Sequence, residues 1–288
     1  MSSSKVSTTM YRRPWLGLSL LIAPPGAWLL LVYIASLIGL LITAFWSIDS
    51  FTGQLVREFT FQNFLSLASQ STYHAVSLRT LGLAVSVTLI DLVLALPLAF
   101  FMAFVANSRL ERFLLISVTL PLWSSYLVKA YAWRSVISQG GLMSWLVSPF
   151  GLEPIGYSLE ATTITLAYLW FPFVVIPIYT TMRKVPGNLL EASSDLGAKS
   201  WGVFRSVILP LSIPGIVAGT IFSFSLTLGD YIAVKIVGGA TQTLGTLIYT
   251  NVGTANNLPL ATAIAFVPLG IIAAYLVTIR RTGALNNL

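Results

Sequence analysis

Charged side chains inside apolar stretches are the first residues of this sequence that could carry chemistry. Asp91 lies near the middle of one long apolar run, and Asp230 stands between Gly229 and Tyr231 toward the end of another. Charges at bilayer depth are costly and are functional candidates by default. A carboxylate beside an aromatic ring suits a cationic ligand. The alternatives are that Asp91 accepts hydrogen bonds from a neighbouring Ser, Thr or basic residue such as Lys129, and that Asp230 only bends or caps its helix.

A polar and aromatic run, Trp123, Ser124, Ser125 and Tyr126, interrupts a third apolar stretch. This run is predicted to line a pore, and the alternative is ordinary packing with an aromatic belt at the membrane interface. No combination of nucleophile, base and acid is found in these stretches, which disfavours a membrane enzyme. With no Cys and a single His, disulfides, thiolate metal sites and histidine clusters are excluded, and no metal or cofactor is expected to bind.

The composition places these residues in a membrane protein. Of 288 residues, 56% are hydrophobic and 9% are charged, whereas about a quarter are charged in an ordinary soluble domain. The mean hydropathy is +0.85. The net charge of +7 would suggest nucleic acid in a soluble protein, but here the position of each basic residue relative to the membrane comes first. No nucleic-acid partner is expected.

An all-α, polytopic fold with six transmembrane helices is predicted, because a span needs roughly 20 mainly apolar residues. The spans are expected at about 27–46, 80–104, 113–133, 161–182, 211–231 and 258–279. Residues 1–26 form an N-terminal tail and interfacial segment, and the first span begins after Pro24-Pro25-Gly26. Residues 27–282 form one transmembrane domain, and residues 283–288 form a C-terminal tail.

The orientation is predicted from the basic residues, because Lys and Arg concentrate in short cytoplasmic loops. The side that holds both termini carries 11 of the 16 basic residues, namely Lys5, Arg12, Arg13, Arg109, Arg112, Arg183, Lys184, Lys199, Arg205, Arg280 and Arg281. Both termini are therefore expected in the cytoplasm, together with the long loop 183–210.

The loop 183–210 is predicted to form a helix, a glycine turn and a second helix. Asn188 is expected to cap the first helix, and Gly197 is expected to end it in a left-handed conformation. Ser200 is expected to cap the second helix, which closes at Pro210 as the chain returns to the membrane. The apolar face of the first helix comprises Leu189, Ala192, Ser193 and Leu196. The alternative is an amphipathic hairpin that packs only against its own bundle.

The same loop resembles the EAA signature of type I ABC importer permeases. The matching elements are Glu191-Ala192-Ser193, three residues, Gly197, nine residues, Val207, one residue and Leu209-Pro210. The family pattern has Ala at the position of Ser193 and Ile at that of Val207. Two further stretches resemble the spermidine/putrescine group of these permeases, namely 131–134 with 140–142, and 228–231 with 238–239.

The resemblance implies a subunit of an ATP-driven importer in the bacterial inner membrane. Its partners would be membrane lipid, a second permease, a cytoplasmic ATPase dimer that uses ATP and Mg²⁺, and an extracytoplasmic solute-binding protein, and its cargo a small polyamine-like solute. The residues that couple to the ATPase would be Glu191, Ala192, Ser193, Asp195, Gly197, Leu209 and Pro210. The candidates for the substrate pathway are Asp230, Tyr231, Asp91, Tyr126, Trp123, Ser124 and Ser125.

The chain itself carries no phosphate-binding loop, because 196–200 lacks the Gly-Lys step and the preceding strand that such a loop needs. ATP is therefore expected to be hydrolysed by another subunit. The competing hypothesis is a self-sufficient ion-coupled transporter or channel in which Asp91 or Asp230 binds protons. Such a protein would not need the loop.

Overall fold

A computed structural model of the chain describes residues 14–49 and 51–281. Residues 1–13 of the expected N-terminal segment 1–26, with Lys5, Arg12 and Arg13, and the expected C-terminal tail 283–288 lie outside the described residues. Within the described part, helices account for nearly all regular structure, and one short antiparallel ladder pairs Ser47–Ile48 with Leu55–Val56. The predicted all-α, multi-spanning fold is confirmed.

Five helices in the described part are long and apolar enough to cross a membrane, and a bent helix pair brings the number to six. In chain order these first to sixth spans are Leu21–Phe45, Ser71–Val105, the pair Ser108–Trp123 and Tyr126–Phe150, Leu159–Arg183, Ser200–Gly229 and Leu258–Arg280. Shorter helices outside the spans are Gln62–Ser69, Gly187–Asp195, Ile232–Val237 and Leu244–Gly253. The end of the bundle formed by 105–112, 183–208 and 280–281 is called the basic end below.

The first span starts well before the predicted proline entry. Its helix begins at Pro14 and continues through Pro24 and Pro25, so the prediction that it starts at about residue 27 is wrong. A π-helical turn, Leu29–Ile34, follows four residues after Pro25. Membrane helices tolerate proline because local π-type adjustments pair the backbone groups that proline frees.

The second span is longer than predicted, beginning at Ser71 rather than near residue 80. Its first turns pack outside the apolar segment, where Val76 contacts a cluster with Leu244 and Ile264. The span ends in a second π-helical turn, Phe101–Val105, four residues after Pro97. Tertiary contacts therefore extend the helix beyond the stretch that hydropathy alone defines.

The third span is broken, so the prediction of one continuous helix over about 113–133 is wrong. The first half begins behind Asn107, whose Oδ1 accepts the N–H groups of Arg109 and Leu110 at 3.2 and 2.9 Å. The helix tightens into a 3₁₀ turn, Leu120–Trp123, that contains Pro121. The chain resumes at Tyr126 with a bend of 100° between the two halves. Pro121 lacks a backbone donor and so weakens the helix at this turn.

The second, fourth and fifth spans form the core, and two glycines allow their close approach. A Cβ atom at Gly215 would lie 2.2 Å from Thr181 Oγ1, and one at Gly219 would lie 3.0 Å from the Cα of Val174. Small residues let helix backbones approach each other inside membranes. The contact between the fourth and fifth spans therefore depends on glycine at both positions.

The first span makes few contacts with the rest of the described chain. Leu21 is 76% exposed and Leu31 is 72% exposed. Among the described residues its last turn is the best anchored part, where the hydroxyls of Thr43 and Thr262 lie 3.1 Å apart and Phe45 stacks on Phe59. Most of this apolar helix thus presents its side chains outward in the isolated chain.

Candidate functional site

A cavity of about 350 Å³ lies where the fifth span ends, beside the break in the third. Its wall combines hydroxyl, carboxylate and aromatic groups, contributed by Tyr126, Trp170, Ser225, Leu226, Gly229, Asp230, Tyr231 and Ile232. Of the pathway candidates, Asp230, Tyr231 and Tyr126 are therefore brought together. The fifth span ends at Gly229, slightly before the predicted end near residue 231, and this end places Asp230 in an extended conformation at the cavity wall.

Both carboxylate oxygens of Asp230 are engaged. Oδ1 accepts the backbone N–H of Ala233 at 2.9 Å, so Asp230 caps the short helix Ile232–Val237, and the Tyr126 hydroxyl donates to Oδ2. The Tyr126 ring stacks on Trp170 with 5.8 Å between centroids. Asp230 thus joins the third and fifth spans through Tyr126 and places its carboxyl group on the cavity wall.

A cation lies close to this acidic cavity. Tyr231 stacks on Tyr249 with 4.8 Å between centroids, and the Lys235 Nζ lies 3.9 Å from the Tyr249 ring centroid. Lys235 lines a neighbouring cavity of about 280 Å³ together with Gln242 and Thr246. A cation over an aromatic face is stabilised by the ring quadrupole, so Lys235 is held beside the Asp230 cavity without neutralising its carboxylate directly.

The other members of the polar run lie apart from the cavity wall. Trp123 is 90% exposed, and Ser124 and Ser125 are exposed at the break, with extended backbones. The run is therefore divided by the bend, with Tyr126 alone reaching the cavity.

Asp91 lies elsewhere, fully buried between the second and fifth spans. Its Oδ2 accepts a hydrogen bond from the Ser223 hydroxyl at 2.6 Å. Its Oδ1 has no hydrogen-bond partner among the described residues, and neither does the nearby buried hydroxyl of Thr227. Within the described part no ion pair joins Asp91 to Lys129. The geometry matches the role of a structural acceptor.

The loop at the basic end has the helix, glycine, helix form. Its first helix is Gly187–Asp195, and Gly197 has a φ of +82°. The N–H of Ala198 donates to the carbonyl of Ser193 at 3.1 Å, and that of Gly197 donates to the carbonyl of Ser194 at 2.8 Å. This pair of bonds is the Schellman motif, which needs a left-handed residue that glycine supplies without strain.

The predicted caps of this loop are wrong. Pro186 occupies the N-cap position of the first helix, so Asn188 lies inside its first turn. Lys199 occupies that of the second, so Ser200 is its first helical residue. The second helix does not close at Pro210 either, because it continues through a π-helical turn, Phe204–Ile208, into the fifth span. The wider π turn accommodates the proline that follows it.

The predicted apolar face of the first loop helix is turned away from the bundle. Leu196 is 89% exposed and Leu189 is 42% exposed, whereas Leu190 packs against the core cluster that contains Met182. Ala192 is exposed and Ser193 is half-buried, and Glu191 and Asp195 are exposed. This arrangement disfavours a hairpin that packs only against its own bundle.

Two residues near these sites were not identified from the sequence as functional candidates. Trp170 forms part of the cavity wall but sits in an apolar stretch that carries no local signal for it. Lys235 lies five residues after Asp230 in the sequence, but its contact with Tyr249 depends on the fold of the chain between them. Among the described residues, no group of three or more His, Asp or Glu side chains is arranged to hold a metal ion.

A multi-spanning helical bundle with a polar cavity and an exposed helical loop at one end is the architecture of a polytopic membrane protein. The family profile "Binding-protein-dependent transport system inner membrane component" matches residues 95–281, so the chain belongs to that family and is a permease subunit of an ABC importer. The resemblance predicted from the EAA-like motif is confirmed at this level. The chain is a multi-pass inner-membrane protein.

Individual relatives agree with this assignment. The chain is 39% identical to "Inner membrane ABC transporter permease protein YdcU" of Escherichia coli (strain K12), over 99% of this chain and 95% of that protein. It is 29% identical to "Spermidine/putrescine transport system permease protein PotB" of Haemophilus influenzae, over 72% of this chain and 73% of that protein. A bacterial alginate ABC transporter, solved in complex with alginate pentasaccharide-bound periplasmic protein, has a chain with a TM-score of 0.77 at 19% identity, covering 94% of this chain and 96% of its own. That likeness shows a shared fold.

Proposed function

We propose that this permease subunit forms half of a translocation pathway and receives the movement of a separate ATPase through the loop 183–210, called the coupling loop below. ATP and Mg²⁺ are handled by that partner, and this chain contributes neither catalytic residues nor a cofactor. The observation that carries the proposal is the exposed apolar surface of the coupling loop at the basic end, where Leu196 is 89% exposed and Trp201 is 69% exposed.

The coupling loop combines an outward surface with a firm attachment to the bundle. Leu190, Val203 and Phe204 pack against the core cluster of buried residues from the second to fifth spans. On the outward side, the exposed carboxylates of Glu191 and Asp195 offer sites for basic groups in a partner's groove. Exposed apolar side chains rimmed by charge are typical of a protein interface.

The loop is also connected mechanically to the cavity. The helix that starts at Ser200 runs without interruption to Gly229, past Leu209 and Pro210, and its last turns supply Ser225 and Leu226 to the cavity wall. A rigid helix of this length carries displacement at one end to the other. Docking at the loop and access to the cavity are thereby linked through one element.

The surface of the spans supports pairing with a second permease subunit. The first span exposes apolar side chains such as Leu21 and Leu31 along most of its length, and the broken third span leaves Ser124 and Ser125 uncovered. A second permease would cover such surfaces, and a solute-binding protein would deliver cargo at the end opposite the basic end. Both termini and the coupling loop then lie in the cytoplasm of the bacterium.

We infer that the cargo is a small organic cation of the polyamine type. Support comes from the carboxylate of Asp230 on a wall with Tyr126, Trp170 and Tyr231, because carboxylates and aromatic faces attract ammonium groups. The relative named for spermidine and putrescine transport points to the same class.

Reconstitution into liposomes with the partner permease, the ATPase and the binding protein tests the coupling. ATP-dependent uptake of radiolabelled putrescine is expected, and it should be lost in Gly197→Pro and strongly reduced in Glu191→Lys, whereas Asn188→Lys on the same helix serves as the charge control. Unchanged uptake in both loop variants contradicts coupling through the loop. Uptake by this chain without any ATPase would instead establish the ion-coupled transporter.

Asp230→Asn tests the cargo class, because Asn also caps helices and so separates the charge from the capping role. Loss of a hydrogen bond to a charged group is worth about 10–100-fold, so the KM for putrescine should rise by about tenfold or more while the thermal unfolding midpoint stays constant. Asp230→Ala should change both. An unchanged KM in Asp230→Asn contradicts a cationic cargo bound at this carboxylate.

A further inference from the structure

One carboxylate at the basic end joins two consecutive spans through residues that are 68 positions apart in the sequence. Glu111 Oε1 lies 3.2 Å from the Nε of Arg183, and the same oxygen accepts a hydrogen bond from the Tyr179 hydroxyl. Glu111 stands in the first turn of the third span, whereas Tyr179 and Arg183 occupy the last turn of the fourth. The base of the third span is therefore tied to the end of the fourth.

The energetics of this contact favour positioning over stabilisation. The Arg183 side chain is 59% exposed and that of Glu111 is 15% exposed, and an ion pair with one partner in solvent contributes only about 0–1 kcal/mol to stability. The Tyr179 hydroxyl and the low exposure of the carboxylate hold its geometry. Asn107 adds to this by capping the same turn with two hydrogen bonds.

The fourth-span side of the contact leads directly into the coupling loop. After Arg183 the backbone remains hydrogen-bonded, with Lys184 N–H donating to the carbonyl of Thr181 at 3.2 Å and Val185 N–H donating to that of Met182 at 3.1 Å. The loop helix Gly187–Asp195 begins two residues later. A displacement of that helix is thus delivered to Arg183 through a short, ordered connection.

The third-span side of the contact leads to the cavity. The first half of the span ends at Trp123, the backbone bends by 100°, and Tyr126, the first helical residue after the bend, donates to Asp230. A rotation of the first half about this bend alters the angle at which Tyr126 is presented to the cavity. The bend between the two halves is called the pivot below. Glu111 lies near the far end of the first half, and Tyr126 lies just beyond the pivot.

We propose that Glu111 is a positioning residue for transport. When the coupling loop moves, Glu111 transmits the displacement to the first half of the third span, and the bend at Ser124–Ser125 changes. This inference rests on the proposed function of the coupling loop. Its physical basis is the juxtaposition of the Glu111, Tyr179 and Arg183 side chains with the start of the loop and with a pivot at the cavity.

Spin labels placed across the pivot test the proposal in the complete complex. The chain contains no Cys, so Ser117→Cys and Val128→Cys, both at exposed positions, give two defined labels. The distance between the labels is measured without nucleotide and after trapping with ATP and vanadate. A shift of about 2 Å or more is expected with native Glu111, and Glu111→Gln should reduce that shift at least about twofold.

Charge reversal separates this positioning role from a general structural effect. Glu111→Arg and Arg183→Glu should each abolish the shift, and the two together should restore most of it, because the ion pair is re-formed with opposite signs. Tyr179→Phe, which removes one hydroxyl, should reduce the shift partially. Arg112→Gln is the matched control, since the Arg112 Nε donates to the carbonyl of Ser108 in its own helix at 2.9 Å, and it should leave the shift unchanged.

Three results would overturn the proposal: no shift with native Glu111, an equal shift in Glu111→Gln, or a double reversal no better than its single variants. Phosphate release is recorded for each variant complex with ATP before vanadate is added. If the ATPase hydrolyses ATP no faster in the complex with native Glu111 than it does alone, the proposed function of the coupling loop fails. If the ATPase is stimulated but the change in label distance is the same in Glu111→Gln, only the positioning role fails.

Discussion

At the scale of single residues, Asp91 in the second span and Asp230 just after the fifth span have different surroundings. Asp230 has hydrogen-bond partners for both oxygens and borders a cavity. Asp91 is fully buried and shares one oxygen with Ser223. A buried carboxylate without a hydrogen-bond donor lowers stability by several kcal/mol. The hydrogen bond from the Ser223 hydroxyl offsets part of this cost for Asp91 between the second and fifth spans.

Ser223→Ala is expected to lower the free energy of unfolding by about 1–3 kcal/mol, because it leaves both carboxylate oxygens of Asp91 without a protein donor. Unfolding of the purified permease in mixed micelles with increasing SDS measures the change. Ser212→Ala is the matched control, since that buried hydroxyl donates to the carbonyl of Ile208 within its own helix. Adding Asp91→Ala to Ser223→Ala should recover part of the loss, and equal losses in the two Ser variants contradict this role of Ser223.

At the scale of elements, prolines show how much the sequence alone could predict. The fourth span was predicted at about 161–182 and is observed at Leu159–Arg183, with Pro172 and Pro177 inside an unbroken helix. The third span, by contrast, breaks at Pro121. Local sequence does not distinguish these cases, because packing of the fourth span against two neighbours holds its helix together, whereas the exposed turn around Pro121 has no such support.

The glycine turn of the coupling loop was predicted correctly because its requirement is local. Gly197 adopts a φ of +82°, which costs a residue with a Cβ roughly 1–2 kcal/mol. By contrast, the contact of Tyr126 with Trp170 and that of Glu111 with Arg183 join residues far apart in the chain. Such contacts follow from the tertiary arrangement, and neither hydropathy nor spacing reveals them.

Gly197→Ala is expected to lower ATP-dependent uptake in the reconstituted complex by about fivefold or more, as roughly 1–2 kcal/mol of strain shifts the loop away from its docked conformation. A Cβ atom at Gly197 meets nothing within 4 Å, so the effect is one of backbone conformation. Gly187→Ala is the control, because that Cβ also meets nothing within 4 Å and its φ is not left-handed. Comparable losses in both variants contradict the conformational explanation.

The contact between the fourth and fifth spans gives a second prediction at this scale. Gly215→Ala should lower the free energy of unfolding by about 1–3 kcal/mol, because its Cβ would lie 2.2 Å from Thr181 Oγ1 and 2.4 Å from the carbonyl oxygen of Pro177. Gly270→Ala, where a Cβ meets nothing within 4 Å, should have little effect. The same SDS titration compares them, and it contradicts close helix approach if both variants unfold alike.

At the scale of the whole molecule, the proposed orientation gives a reason for the excess positive charge, because Lys and Arg concentrate in cytoplasmic loops. The described basic residues Arg109, Arg112, Arg183 and Lys184 lie at the basic end with the coupling loop, and the first span leaves much of its apolar surface for a partner or lipid. A bundle of this kind functions in an assembly, since its cavity, its loop and its first span each present surfaces that the isolated chain does not cover.

Reporter fusions test the orientation directly. Green fluorescent protein fused after Leu288 should fluoresce, and alkaline phosphatase inserted after Gly53 should be active, because basic loops remain in the cytoplasm and the loop around Gly53 is at the opposite end. Replacing Arg109 and Arg112 with Glu should weaken this preference. Active phosphatase fused after Leu288 together with inactive phosphatase inserted after Gly53 would indicate the opposite orientation in the membrane.

The break between Ser124 and Ser125 has a consequence for the solvent. Backbone that leaves helical geometry at bilayer depth must find hydrogen-bond partners, and hydrocarbon supplies none. The Ser124 N–H donates to the carbonyl of Pro121 at 3.3 Å, but both serines are exposed in the isolated chain, so water or a covering protein surface must meet the break. Amide deuterium uptake at Ser125 would then report when water reaches the break and when it is excluded.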